Sequence, residues 1–143
     1  MVFSLSCSLK KDNVANDIEW ARYFDEIGAP NLNLKNHVIL VLNSVECAPA
    51  IEELLWWEKK SENVNVKMVI ISKYQNEFQS VLQTHELTIE SYRDSTGEIY
   101  NHDLISTTPA KVFINNEGKI HSIRSIGEEL NTQALKEFLQ RTD

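Results

Sequence analysis

Apolar and polar positions alternate along the chain in blocks that predict a short series of elements. Residues 13–24 place Val14, Ile18, Ala21 and Phe24 at helical spacing, with Asp12 or Asn13 available to cap the start. Gly28, Pro30 and the following Asn-Leu-Asn-Leu break that pattern. Val38 to Leu42 is then an unbroken apolar run rich in β-branched residues, which predicts a strand covered on both faces. Ile51, Leu54 and Leu55 repeat at helical spacing to about Lys60. Val66 to Ile71 predicts a second buried strand, and Phe78, Val81 and Leu82 mark a helix ending near Thr84. The first strand, helix and second strand form a βαβ unit, which packs its strands parallel through a right-handed crossover.

Further along, Asp94-Ser95-Thr96-Gly97 is turn chemistry inside a connecting segment. Lys111 to Ile114 and Lys119 to Ile123 flank Asn115-Asn116-Glu117-Gly118, which suits a hairpin. Ala134, Leu135, Phe138 and Leu139 form the stripe of a closing helix, with Asn131 or Thr132 as its cap. The order is β-α-β-α, a connecting segment, a hairpin and a helix: an α/β domain with a central mixed sheet.

Composition narrows this picture. At 143 residues, 42% hydrophobic and 24% charged, the chain has the size and balance of one soluble domain. A formal net charge of −7 argues against a nucleic-acid partner, because phosphate binding needs a basic face. No apolar run approaches the roughly 18 residues of a membrane span. Cys7 and Cys47 are too few for a disulfide scaffold and offer no paired zinc spacing. His37, His85, His102 and His121 fall at no ligand spacing and read as surface residues, so neither a metal nor a cofactor is expected. Met1 to Leu9 reads as an unstructured polar start, or else Cys7 is the lipid-attachment cysteine of a lipoprotein.

Cys47 follows the first buried strand by four residues, and Pro49 lies just beyond it. Proline is accepted in the first helical turn, so Cys47 is expected at the amino end of the helix. A helix amino terminus favours a thiolate through its partial positive charge and free N–H groups. Glu46, Glu52 and Glu53 oppose it. Both pairs, Glu52-Glu53 and Glu128-Glu129, otherwise read as solvated charges.

These stretches, in their order and spacing, resemble the thioredoxin superfamily, specifically its TlpA-like thiol–disulfide oxidoreductases and neighbouring redoxin domains. Val38 to Leu42 followed by Cys47-Ala48-Pro49-Ala50 is similar to the first core strand and the Cys-x-x-Cys helix start. Thr107 to Ile114 resembles the cis-proline segment and the strand after it. Asn116-Glu117-Gly118-Lys119-Ile120 resembles the hairpin that follows, and Gly127 the glycine before the last helix. The likeness runs from about residue 37 to 140. It implies a thioredoxin-like domain over residues 37–143, preceded by an N-terminal extension of residues 1–36 with one helix.

The resemblance implies that Cys47 attacks, and that Glu46, Ala48, Pro49, Ala50, Thr108 and Pro109 form the substrate-binding surface. Thr108 would present its backbone to a substrate strand beside a cis Pro109. Protein or small-molecule thiols and disulfides would be the partners, and the setting would be extracytoplasmic, periplasmic or membrane-anchored. Two residues depart from the pattern. Ala50 replaces the resolving cysteine, so a mixed disulfide at Cys47 must be released by an external thiol. Glu46 stands where the family carries tryptophan. Ala50 is consistent with a natural monothiol or degenerate site, or with an introduced Cys→Ala change. Two other functions stay open. One is a non-catalytic binding module, to which Trp56 or Trp57 could contribute; adjacent helical positions make one of the pair core and the other partly exposed. The other is a one-cysteine peroxidase, with Ser44 in the threonine place, Leu40 replacing the proline, and Arg93 or Arg124 as the guanidinium.

Overall fold

The computed structural model describes residues 19–29, 33–127 and 135–139. Five strands form one sheet: β1 (His37–Asn43), β2 (Asn65–Ile71), β3 (Glu90–Asp94), β4 (Ala110–Ile114) and β5 (Ile120–Ser125). Their spatial order is β3-β2-β1-β4-β5. β1 pairs parallel with β2, and β2 parallel with β3; β4 runs antiparallel to both β1 and β5. The helices are α1 over 19–26, α2 (Ala48–Lys60), α3 (Gln75–Thr84), the single turn α4 (Glu98–Asn101) and α5 over 135–139. The sheet is mixed and flanked by helices, as expected, and the fold is thioredoxin-like.

The apolar run of β1 is explained by its place at the centre. Successive strand residues point to opposite faces, so a strand covered on both faces needs apolar residues at every position. Val38, Leu40 and Leu42 join one core with Ala50, Leu54 and Trp57 of α2, Phe78 of α3, and Leu135 and Phe138 of α5. Ile39 and Val41 join the other core with Trp20, Tyr23 and Phe24 of α1, Ile99 of α4 and Val112. The face of α1 is therefore aromatic. Ala21, expected inside, is exposed, and Trp20 and Tyr23 take its place. Val14, Ile18, the caps at 12 and 13, Ala134 and the caps at 131 and 132 lie outside the described residues, as do Cys7 and Glu128-Glu129. Leu139 is half exposed instead of joining the stripe of α5.

The connecting segment holds more order than its sequence predicts. Asp94 ends a parallel edge strand, and its buried carboxylate caps α4 by accepting the N–H groups of Glu98 at 2.9 Å and Ile99 at 3.0 Å. It also accepts the Tyr23 hydroxyl at 2.8 Å. Burial first, and Asp94 second, hold that hydroxyl well above the ordinary tyrosine range. An edge strand of sequence Glu-Ser-Tyr-Arg-Asp, buried fully only at Asp94, carries no apolar signature to read. The hairpin forms as predicted. Asn115 Oδ1 accepts the N–H groups of Glu117 and Lys119, and Gly118 adopts φ 82°. No helix of the described residues is long and apolar enough to cross a membrane.

Candidate active site

Strand β1 delivers the chain to the end of the sheet, and a four-residue loop turns it into α2. Cys47 is the N-cap residue, extended at φ −77° and ψ 164°, and it is exposed. Its carbonyl accepts the Ile51 N–H at 3.1 Å, closing the first turn. Ala48 and Pro49 occupy the first two helical positions, where a missing N–H leaves no bond unmade. Both are exposed, whereas Ala50 is wholly buried. The Cys47 side chain makes no capping hydrogen bond to the helix start.

Three other stretches converge on this turn. The Thr108–Pro109 peptide is cis. The register that pairs Val41 with Ala110 brings Thr108 beside Asn43, whose side-chain amide donates to Thr108 Oγ1 at 2.7 Å. Pro109 in turn accepts the Ile126 N–H at 3.1 Å. The next residue, Gly127, has φ 92°, and a Cβ there would lie 3.0 Å from the Ala50 nitrogen. Only glycine fits that approach. Pro109 and Ala50 are thereby tied to one short segment, and the residues expected to form the substrate surface lie at one end of the sheet.

Glu46 differs from expectation in what it does. Its carboxylate accepts the Asn43 backbone N–H at 2.8 Å and staples the loop that carries Cys47. Glu53 departs further. It is not a solvated charge: it is 7% exposed and lies 2.9 Å from the Nζ of Lys111, which is 0% exposed. The same carboxylate accepts the Trp57 Nε1–H at 2.9 Å and the Gly127 N–H at 2.7 Å. Its charge is committed to these donors beneath the helix start, and only Glu52 remains exposed as predicted. Sequence reasoning missed Asn43, Lys111 and Tyr100, whose hydroxyl lies 3.0 Å from Thr108 Oγ1. A lysine within the buried run of β4 was the available signal for Lys111; the other two carried none.

Trp57 is core and Trp56 is partly exposed, stacked edge-on at 4.9 Å, as the helical spacing predicted. No histidine among the four is a fully exposed surface residue. The His102 side chain is 9% exposed, with Nδ1 at 2.9 Å from Glu19 and Nε2 at 2.8 Å from Glu26. These hydrogen bonds, Glu26 first and Glu19 second, hold the imidazole above its ordinary value. Glu26, Glu98 and His102 bring donor atoms within 4.8 Å of one another, a grouping that their spacing in sequence conceals. The two arginines considered for peroxide chemistry are engaged elsewhere. Arg93 donates to Gln75 and to the carbonyls of Ser72 and Lys73, and Arg124 pairs with Glu137 at 3.6 Å.

No family model and no curated protein matches the chain. Solved structures do. StoA from Bacillus subtilis matches with a TM-score of 0.57 at 22% identity, covering 76% of this chain and 85% of that one. A thioredoxin-like protein from Porphyromonas gingivalis matches at 0.60 and 16% identity, with 79% of each chain covered. A secreted disulfide oxidoreductase from Mycobacterium tuberculosis matches at 0.56 and 18% identity, covering 75% and 83%. With these likenesses and the observed strand order, the chain has the thioredoxin-like fold that those structures share.

Proposed function

We propose that the protein carries out thiol–disulfide exchange through Cys47 alone. The observation that carries this reading is an exposed cysteine at the N-cap position of α2, in the loop that follows the central strand. In the forward step the Cys47 thiolate attacks one sulfur of a substrate disulfide. A new S–S bond forms at Cys47, the substrate bond breaks, and the departing half leaves as a thiolate that takes up a proton. Ala50 supplies no sulfur, so an external thiol must attack the mixed disulfide and return Cys47 to its reduced form. Glu46, Ala48, Pro49, Thr108 and Pro109 form the surface on which the substrate lies.

A binding module that has lost its chemistry would be favoured by a buried, inaccessible cysteine, and Cys47 is exposed. The secreted relative supports an extracytoplasmic setting, where disulfide substrates are available. The test uses a Cys7→Ser background, so that one thiol remains. Incubation with a disulfide-linked peptide should add one peptide half per chain by intact mass, and Cys47→Ser should remove the adduct. A background protein that forms no adduct overturns the proposal.

A further inference from the structure

A hollow of about 260 Å³ opens beside the loop that carries Cys47, between α2 and α3. Its walls are Leu42 of β1, Ile51 and Leu54 of α2, Met68 and Ile70 of β2, and Val81 of α3. Partly exposed polar groups stand at its mouth: Ser44 and Glu46 from the loop, and His85 just past α3. A second hollow of about 300 Å³ shares Ser44, Val45, Val81 and His85 and continues along α3 past Glu77. Ala48, Pro49, Thr108 and Pro109 line neither, so the pair meets the substrate surface described above only at Glu46. Cys47 borders the mouth. Glu46 precedes it directly, and adjacent Cα atoms lie about 3.8 Å apart. Ile51 follows it by four residues and donates its N–H to the Cys47 carbonyl at 3.1 Å. Positions so spaced share one face of a helix. A group joined to the Cys47 sulfur through a few bonds therefore reaches the hollow.

We propose that this hollow is an apolar subsite, which seats an aromatic ring borne a few bonds from the sulfur that Cys47 attacks. This rests on the thiol–disulfide reading of Cys47 and adds a preference among disulfides, set on the side of α2 that faces α3. The size fits. An apolar cavity of about 150 Å³ holds a benzene ring, so the hollow takes a ring with a short linker. Apolar walls favour such a guest because both surfaces leave water together. Charge selects as well. Glu46 and Glu77 place carboxylates on the rim, and no lysine or arginine is among the described residues that line the two hollows. A carboxylate carried on the same linker would lose water and gain no cation. Neutral aromatic disulfides are therefore favoured and acidic ones disfavoured.

The experiment uses the Cys7→Ser protein and thiopyridyl mixed disulfides of phenylethanethiol, mercaptoethanol and mercaptopropionate. The Cys47 thiolate attacks the alkyl sulfur and a new S–S bond forms there. The bond to the pyridyl sulfur breaks, and thiopyridone leaves with the electron pair, takes up a proton and is read by absorbance. Each second-order rate constant is divided by that of N-acetylcysteine amide, which removes the intrinsic reactivity of the reagent. The phenylethyl reagent should then exceed the hydroxyethyl one by about tenfold, and the carboxyethyl one by more. Val81→Trp fills the hollow and should bring the first ratio down to about two. Phenylethanol, which has no sulfur, should slow the phenylethyl reagent more than the hydroxyethyl one, a check that needs no variant. Normalised ratios near one, a ratio kept in Val81→Trp, or equal slowing of both reagents would overturn the subsite. A protein that reacts with none of the three defeats the thiol–disulfide reading itself, an outcome distinct from equal reaction with all.

Discussion

Two charged clusters occupy opposite faces of the same sheet and obey different rules. On the α2 face, Glu53 and Lys111 meet at 2.9 Å with side chains 6% and 0% exposed. On the α1 face, His102 lies between Glu19 and Glu26, whose side chains are 28% and 45% exposed. Water screens the second cluster and scarcely touches the first. The buried pair can exist only because its carboxylate also takes N–H groups from Trp57 and Gly127. Stripped of one partner, the survivor would be a desolvated charge. The exposed cluster has no such stake, because each of its carboxylates can turn to solvent. Charge inside the core here fixes the helix that carries Cys47; charge at the rim joins α1 to α4.

Breaking the buried pair should give the largest effect. Lys111→Met leaves Glu53 unpaired and should lower stability by about 3–5 kcal/mol, read by chemical denaturation. Adding Glu53→Gln to that variant should recover most of the loss, since a neutral amide no longer needs a cation. If Lys111→Met alone is nearly neutral, the two clusters do not differ as described.

The rim cluster should respond to pH, and only slightly. His102 has its folded-state value raised, so its stabilising contribution is fully present below the unfolded value of about 6.5. That contribution is lost as pH rises through the folded value. Between about pH 6 and about pH 9, the Tm of the protein should therefore fall by a few degrees relative to that of His102→Gln. Parallel profiles for the two proteins would remove His102 from the account.

The same contrast separates what could be read in the sequence from what could not. β1, β2, α2 and the hairpin were legible because burial on a fixed period leaves an apolar pattern. β3 was not, because an edge strand with one neighbour needs no such pattern, and its anchoring residue is an acid, Asp94. Glu53 was misread for a related reason. Periodicity places a helical carboxylate in water unless its partner is known, and Lys111 lies 58 residues away. His102 meets Glu19 and Glu26 across 83 and 76 residues, so no local spacing could have revealed it. The places of Cys47 and Pro49 at the start of α2, and the cis bond before Pro109, were legible from the strand–cysteine–proline spacing and the resemblance. Asn43 and Tyr100 were not, because their contact with Thr108 depends on register alone.

The central claim is that the helix start is built for attack on a disulfide and lacks the sulfur to finish internally. It is tested most directly by the lifetime of the peptide adduct on Cys47, with and without Ala50→Cys, in the Cys7→Ser background. In the parent the adduct should persist until an external thiol is added. In Ala50→Cys the new thiolate should attack Cys47, expel the peptide thiol and leave an internal disulfide 2 mass units lighter than the reduced chain, about the mass of the two hydrogens lost. An adduct that decays equally fast in both proteins, with no external thiol, would contradict the account.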